Sequence, residues 1–573
     1  MKPAARLTVH RLAATSLAGL IVGLIAAFAT EGFLALVLYL NDVLFISASS
    51  RASLSGLPLA LITIATLTFG GLAVGLIMQF GVRKELSLGP PDTIFALQLH
   101  ERLPTPLKGL LSTLASILSL GCGASVGQYG PLVYLGTLVG QVTNRLPLNL
   151  PYMRSMTIAC GVAAVISTAF NAPIAALIFT HEVILRHYSL RMFTAVTVAS
   201  ACGYFVANVV FEQAPVFLIE DDASFRAVEF LFFAIEGIAC GVLAVLMMKS
   251  LQHASRLSQR LTIPFAVKPM LAGFAVSLIA LQVPEVLGAG QEVFLEVIAG
   301  DGYSADKLLL ILTTKLVVTI ICLGFGFAGG IIFPSMLIGV LFGALFAILL
   351  PEQMLDSYSG VFDYAICGLA AMMSPVIGAP MTALLLVFEL TRNYEIAIAA
   401  MVTIVFSNLV ASNWYGRSLY DRLLVARGID LSMGREQAYL EHHKVCEHLT
   451  TALPVARQDA APDELRQSMS AQQTASIVIL DEHQRFLGVL QQQQLQDLEE
   501  GASLAELELQ EQPLFDETTS IREAMQVMRD YMGEAIAVID SASGRYLGSV
   551  PESVVIDAYL DASAELRREE HEL

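Results

Sequence analysis

Apolar runs separated by short polar or glycine/proline breaks make up most of the chain. After a basic start, MKPAARLTVHR, the first run extends from about Leu17 to Phe45. Others lie near 56–80, 106–122, 128–146, 155–186, 191–212, 226–249, 268–282, 307–323, 330–350, 361–374, 377–390 and 395–411. Several are shorter than the ~20 residues a helix needs to cross a bilayer. The pattern predicts membrane helices of uneven length, some broken at depth. The sharpest break, Gly127-Gln128-Tyr129-Gly130-Pro131, interrupts the apolar stretch Gly121–Gly140. Backbone that ends inside a membrane must face something other than lipid, so this stretch predicts a half-helix aimed at an ion.

The pattern recurs. PLVYLGTLVG and PSMLIGVLFG place Pro131, Gly136 and Gly140 on Pro334, Gly339 and Gly343. AAVISTAFNAPIAALIFTHEVI (163–184) aligns with AAMMSPVIGAPMTALLLVFELT (370–391), putting Ala172-Pro173 on Ala379-Pro380 and Glu182 on Glu389. The halves are about 15–212 and 226–427. Orientation is not visible in the sequence; an odd number of crossings in each half would make the repeats inverted. Gly136, Gly140, Gly339 and Gly343 read as close helix packing. Gly127, Gly130, Gly329 and Gly330 instead let an ion approach the backbone. A half-helix beginning at Gln128 or Ile331 leaves unpaired amides that, with the helix dipole, form a partial positive charge. These stretches contain no acid, which favours an anion over a cation.

Composition agrees with a multi-span membrane protein: 573 residues are 55% apolar, with mean hydropathy +0.65. The net charge of −18 belongs to the tail. From Gly434 onward there are 10 Lys+Arg and 27 Asp+Glu, against 23 and 24 before it, so a domain boundary is expected near residue 430. Seven cysteines include no C-x-x-C pair and read as small buried hydrophobes, which indicates neither a metal site nor a disulfide framework. The first run is too long for a cleaved signal. Lys2, Arg6 and Arg11 before it place the N-terminus in the cytoplasm. In the tail, SIVILDEHQRFLGVL (476–490) and IAVIDSASGRYLGSV (536–550) each read as strand, turn, strand. Each follows a helical stretch, near 462–470 and 520–532. The last residues, ELRREEHEL, read as a solvated helix.

Residues 10–430 resemble the CLC family of chloride channels and chloride/proton exchangers. The motifs are FNAPIAALIFTHEV (170–183), GGIIFP (329–334), APMTALLLVFELT (379–391) and SLYDRLL (418–424). The resemblance implies an all-α multi-span membrane fold with inverted repeats of broken, uneven helices. It further implies a homodimer in the lipid bilayer, a separate pathway for chloride or another small anion in each subunit, and no enzymatic activity or nucleic-acid partner. Carried over by position, the anion site comprises the amides of Ile331 and Ile332 with Phe333 nearby, the hydroxyl of Tyr420, the Gln128-Tyr129-Gly130 helix start, and the loop at Leu88 and Gly89.

Three positions depart from the exchanger pattern. Leu88 stands where the family has a serine, so contact there must come from backbone amides; slipping the alignment by one residue brings Ser87 into play. Tyr129 replaces the gating glutamate, and a phenol with a reference pKa near 10 offers no proton step at neutral pH. Val183 occupies the inner proton position. Glu182 with Arg186, and Glu389 with Arg392, read as helix-end ion pairs; His187, beside Arg186, reads as an interfacial residue and His181 as a membrane-end one. The expectation is passive, uncoupled anion flow; a slow uncoupled carrier and a non-conducting sensor are the alternatives.

The tail resembles a tandem pair of CBS domains, as an α/β cytoplasmic addition. This divides the chain into 1–430, 431–500 and 501–573. GVLQQQQL and GSVPESVV lack the pattern of nucleotide-binding members. The pair is therefore expected to dimerise without a cofactor rather than to bind adenine nucleotide. The inner membrane of a bacterium, with both termini cytoplasmic, is the expected location.

Overall fold

The computed structural model describes residues 3–83, 88–145, 152–213, 225–299, 303–350, 360–496 and 512–571. Two compact units divide between Leu424 and Val425.

The first unit is helical. Its main helices are α1 (Pro3–Val43), α2 (Leu57–Leu76), α3 (Pro90–Gln98), α4 (Pro106–Gly121), α5 (Tyr129–Thr143), α6 (Met153–Phe170), α7 (Pro173–Phe179) and α8 (Leu190–Phe205). Eight counterparts follow in the same order: α9 (Glu229–Arg260), α10 (Val267–Ala280), α11 (Gln291–Ile298), α12 (Ala305–Gly324), α13 (Ile332–Leu349), α14 (Val361–Ile377), α15 (Pro380–Thr391) and α16 (Tyr394–Trp414). A last short helix, α17 (Leu419–Val425), has no partner in the first half. Among the described residues, eight helical segments are long and apolar enough to cross a membrane; α4, α10, α14, α15 and the stretch from α7 to Leu185 are apolar but shorter.

The single apolar run expected over 155–186 is two helices. Asn171 ends α6 in the left-handed conformation (φ 56°), and Pro173 opens α7. Gly378 and Pro380 repeat the device between α14 and α15. Helices α3 and α11 escaped the hydropathy pattern because PPDTIFALQ and QEVFLEVI are short and carry polar residues.

The repeats pack by the same glycines. A Cβ on Gly136 would lie 2.5 Å from the Gly161 oxygen where α5 crosses α6, and one on Gly339 would lie 2.3 Å from the Gly368 oxygen where α13 crosses α14. Gly140 and Gly343 are equally close to their neighbours, so all four serve close packing. The α1–α8 crossing uses Gly19 and Gly23, and its counterpart α9–α16 uses Gly237 and Gly241. Helix α6 is 89% buried and the most apolar stretch of Leu57–Val82 is 33% buried, which puts the glycine crossings at the centre and α2 on the outer wall.

The capping carboxylates confirm the duplication and correct one expectation. Glu182 accepts bonds from the Met381 and Thr382 amides (3.0 and 2.8 Å), at the start of α15. Glu389 accepts from Ile174 and Ala175 (2.8 and 2.6 Å), at the start of α7. Each glutamate thus caps the helix of the other half, where the dipole favours a negative charge. They are not paired with the arginines that follow them: Arg186 reaches Asp421 on α17 instead (2.7 Å).

The second unit holds two three-stranded sheets of one topology. Strand β1 (Val455–Arg457) runs parallel to β2 (Ser476–Leu480), which is antiparallel to β3 (Phe486–Gln491); β4 (Phe515–Asp516), β5 (Ala535–Ile539) and β6 (Tyr546–Pro551) repeat this. Helices α18 (Pro462–Gln472) and α19 (Ile521–Met528) connect the first two strands of each sheet, and α20 (Glu552–His571) closes the unit. The sequence pattern anticipated the hairpins but not β1 and β4, which are too short to show alternation. Arg485 bridges Arg545, its own counterpart in the RFLG and RYLG motifs.

Candidate functional site

The site forms where the two halves touch. Gly127 and Gly330, equivalent residues of the two repeats, exchange both backbone hydrogen bonds at 2.7 Å. A residue that pairs with its own equivalent lies on a local two-fold axis. The contact requires glycine: a Cβ on Gly127 would stand 2.8 Å from the Gly330 oxygen, and one on Gly330 would stand 2.7 Å from the Gly130 nitrogen. Helices α5 and α13 begin within two residues of this pair, so their N-termini meet. The amides of Tyr129, Gly130, Ile332 and Phe333 have no acceptor among the described residues. Four donors and two helix dipoles therefore converge on one spot, the arrangement that attracts an anion.

A third helix start joins them but brings no donors. Pro90, at the start of α3, approaches Gly130. The Leu88 amide donates to Ser112 Oγ (3.0 Å), and the Gly89 amide to Asp92 Oδ2 (3.0 Å). Pro90 and Pro91 have no N–H at all. The expectation that Leu88 and Gly89 offer amides to the ion is thus corrected: this corner supplies shape, and its amides are taken. Ser87 lies outside the described residues.

Tyr129 is the first residue of α5, 5% exposed. Its ring stacks on Phe170 with centroids 3.7 Å apart, and Phe333 lies tilted at 5.8 Å. Phe294 of α11 continues the row, 5.5 Å from Phe333. Phe170 and Phe294 carried no signal in one dimension, because their role comes from where α6 and α11 end up. Of the residues singled out in the sequence, Phe333 faces the Tyr129 ring, and Gly130 lies against Gly330 at the start of the other half-helix.

Tyr420 is buried on α17, and its hydroxyl has no partner among the described residues. No ring contact joins it to Tyr129 or Phe333. Its neighbour Asp421, held by Arg186 and by Ser418 Oγ (2.8 Å), fixes α17 in place. Val183 is buried and offers no ionisable group. His181 is fully buried, bonds through Nδ1 to the His187 oxygen and stacks on Tyr188.

Lys315 of α12 went unnoticed in sequence. It is fully buried and donates to the carbonyls of Val286 and Gly288 (3.0 and 2.8 Å), beside Gly290 at the start of α11. No carboxylate meets it among the described residues, and two backbone carbonyls are its partners.

Residues 69–412 match the voltage-gated chloride channel family, well over half of the chain. The chain belongs to that family. Among its relatives, the H(+)/Cl(−) exchange transporter ClcA of Vibrio parahaemolyticus is 30% identical over 317 residues, covering 53% of this chain and 67% of the relative. The chloride channel protein CLC-e of Arabidopsis thaliana is 29% identical over 371 residues, covering 60% of this chain and 51% of the relative. The crystal structure of a eukaryotic CLC transporter superposes with a TM-score of 0.64 at 17% identity, covering 95% of this chain and 98% of the other. At that identity the likeness speaks for the fold. As a member of the voltage-gated chloride channel family with apolar helices of spanning length, the chain is an integral multi-pass membrane protein.

Proposed function

We propose that this protein is a passive, proton-uncoupled anion pathway of the CLC type, with chloride as its cargo and Tyr129 as the gate. One observation carries the reading. At the meeting of α5 and α13, where donors converge, the residue in the path is a phenol stacked on Phe170. A phenol stays neutral across the working pH range, so it neither competes with chloride as a charge nor ferries a proton. Buried Val183 removes the second ionisable position. The unpaired hydroxyl of Tyr420 adds a further neutral donor favourable to an anion.

The channel name of one relative and the exchanger name of another leave the coupling to be decided by these substitutions. The tail is read as a tandem CBS pair that serves as a dimerising platform, each subunit keeping its own pathway, in a bacterial inner membrane. The deciding experiment is chloride efflux from proteoliposomes, with the potential set by potassium and valinomycin while external pH is followed. Chloride leaves without moving the pH. Uphill proton movement driven by a chloride gradient overturns the reading.

The close Tyr129–Phe170 stack favours one alternative, a permanently plugged, non-conducting sensor. Comparing wild type with Tyr129→Ala separates the two: the proposed pathway conducts in both, whereas a sensor plugged by the ring is silent as wild type and conducts only as Tyr129→Ala.

A further inference from the structure

One acidic group in the membrane unit takes no part in the anion site. Glu236 of α9 is fully buried, and neither carboxyl oxygen has a partner among the described residues. A Cβ on Gly368 would stand 3.0 Å from its Oε1, so the carboxyl presses on the point where α14 crosses Gly339 of α13. Tyr364, on the same face of α14, is also fully buried with an unpartnered hydroxyl.

The groups around Glu236 are acids and weak acids. Helix α9 contributes Glu229 and Cys240, and α14 contributes Asp363, Tyr364 and Cys367. Helix α13 carries no ionisable side chain. From α16, Thr403 and Ser407 bond to backbone carbonyls of Ala400, Cys367 and Ala371. On α12, Lys315 is held by its two carbonyls, Lys307 pairs with Glu285 at 2.6 Å, and Asp306 lies at the helix start. No cation meets the Glu236 carboxyl among the described residues. A charge there has nothing to balance it, whereas a proton removes the charge.

The layout also gives a direction. Glu229 begins α9, two turns before Glu236 and about 10 Å along the axis. Asp363 and Tyr364 begin α14. These groups lead inward from one end of the helices. Beyond Glu236, α9 offers only Cys240 before Lys249.

We propose that Glu236 is a proton-binding site, filled from the membrane face at which α9 and α14 begin, whose occupancy sets the α13–α14 crossing and thereby the anion site at the start of α13. The proton bonds to a carboxylate oxygen and leaves by the way it came. The site therefore senses pH on one side and carries no proton across. Its flux readout rests on the anion pathway proposed above, and its spectroscopic readout does not.

The test uses the full chain in lipid. Infrared difference spectra show a protonated-carboxyl band that fades as pH is raised and that is missing in Glu236→Gln. In oriented proteoliposomes, raising pH on one face alone changes chloride efflux roughly tenfold, the size of a modest population shift. Glu236→Gln holds the low-pH rate throughout, and Glu236→Asp restores a response. A wild-type spectrum with no titrating band, or a Glu236→Gln variant that keeps the wild-type pH profile, overturns the proposal. Where Glu236→Gln does not assemble, the wild-type band and the Glu236→Asp shift in it decide.

Discussion

Replacing Phe170 with alanine separates the ring that pins Tyr129 from the ring in the path. The two stack at 3.7 Å with planes 20° apart, and Phe333 lies tilted at 5.8 Å on another side of Tyr129. An aromatic pair of this kind contributes about 0.5–1.5 kcal/mol beyond buried area. If displacing the phenol limits anion flow, removing the stack raises flux roughly two- to thirteenfold, taking RT as about 0.59 kcal/mol. The substitution also opens a cavity costing about 3–5 kcal/mol, so Phe170→Leu, which keeps most of the volume, is the companion variant. Initial chloride efflux per reconstituted protein is the assay, on material that elutes as a single species. In a Tyr129→Ala background the Phe170 substitution adds nothing further, because the two act on one step. Well-folded Phe170→Ala and Phe170→Leu proteins that conduct no faster than wild type refute the argument that the Tyr129 ring is the barrier.

Further outcomes follow from the packing and the charges. Glu182→Ala removes three bonds to the start of α15 and lowers stability by about 2–4 kcal/mol. A double-mutant cycle on melting temperature shows coupling of Glu182 with Thr382 but less than about 0.5 kcal/mol with Arg186. Gly339→Ala forces α13 off α14 and costs about 1–3 kcal/mol, read as a fall in melting temperature. Lys315→Met keeps the stem of the side chain, leaves the Val286 and Gly288 carbonyls without their donor and lowers stability by about 1–3 kcal/mol, read as a fall in melting temperature. In the second unit, the Thr518 hydroxyl and its neighbours hold the Asp516 carboxyl below the usual range. The turn is therefore fully supported above about pH 4, the unfolded value, and loosens as pH falls through the lower folded one. Limited proteolysis of the full chain around residues 515–520 reads this, and Asp516→Ala removes the pH dependence.

What could be read from the sequence was whatever repeats along it. Pro131 with Pro334, and Glu182 with Glu389, exposed the duplication because glycine, proline and glutamate keep their spacing where packing and capping demand it. The pairing of Gly127 with Gly330 joins positions at that same spacing. The donors at Leu88 and Gly89 were misjudged because their acceptors, Ser112 and Asp92, are recognised only once α4 and α3 are folded. Phe170 and Lys315 were passed over for a related reason. An aromatic or a lysine in an apolar run is ordinary until a distant segment faces it. The caps of Glu182 and Glu389 went to the opposite half rather than to the next arginine, since a helix start is a better partner for a carboxylate than an arginine already claimed by Asp421.

The bond pair between Gly127 and Gly330 joins positions on opposite halves of the chain. The ion site accordingly cannot exist on a nascent chain that has delivered only its first half to the membrane. Until α13 arrives, α5 has no second dipole beside it and the row of rings lacks Phe333 and Phe294. Assembly of the two halves thus precedes the candidate site, whose four converging amides come together only when α13 is seated against α5.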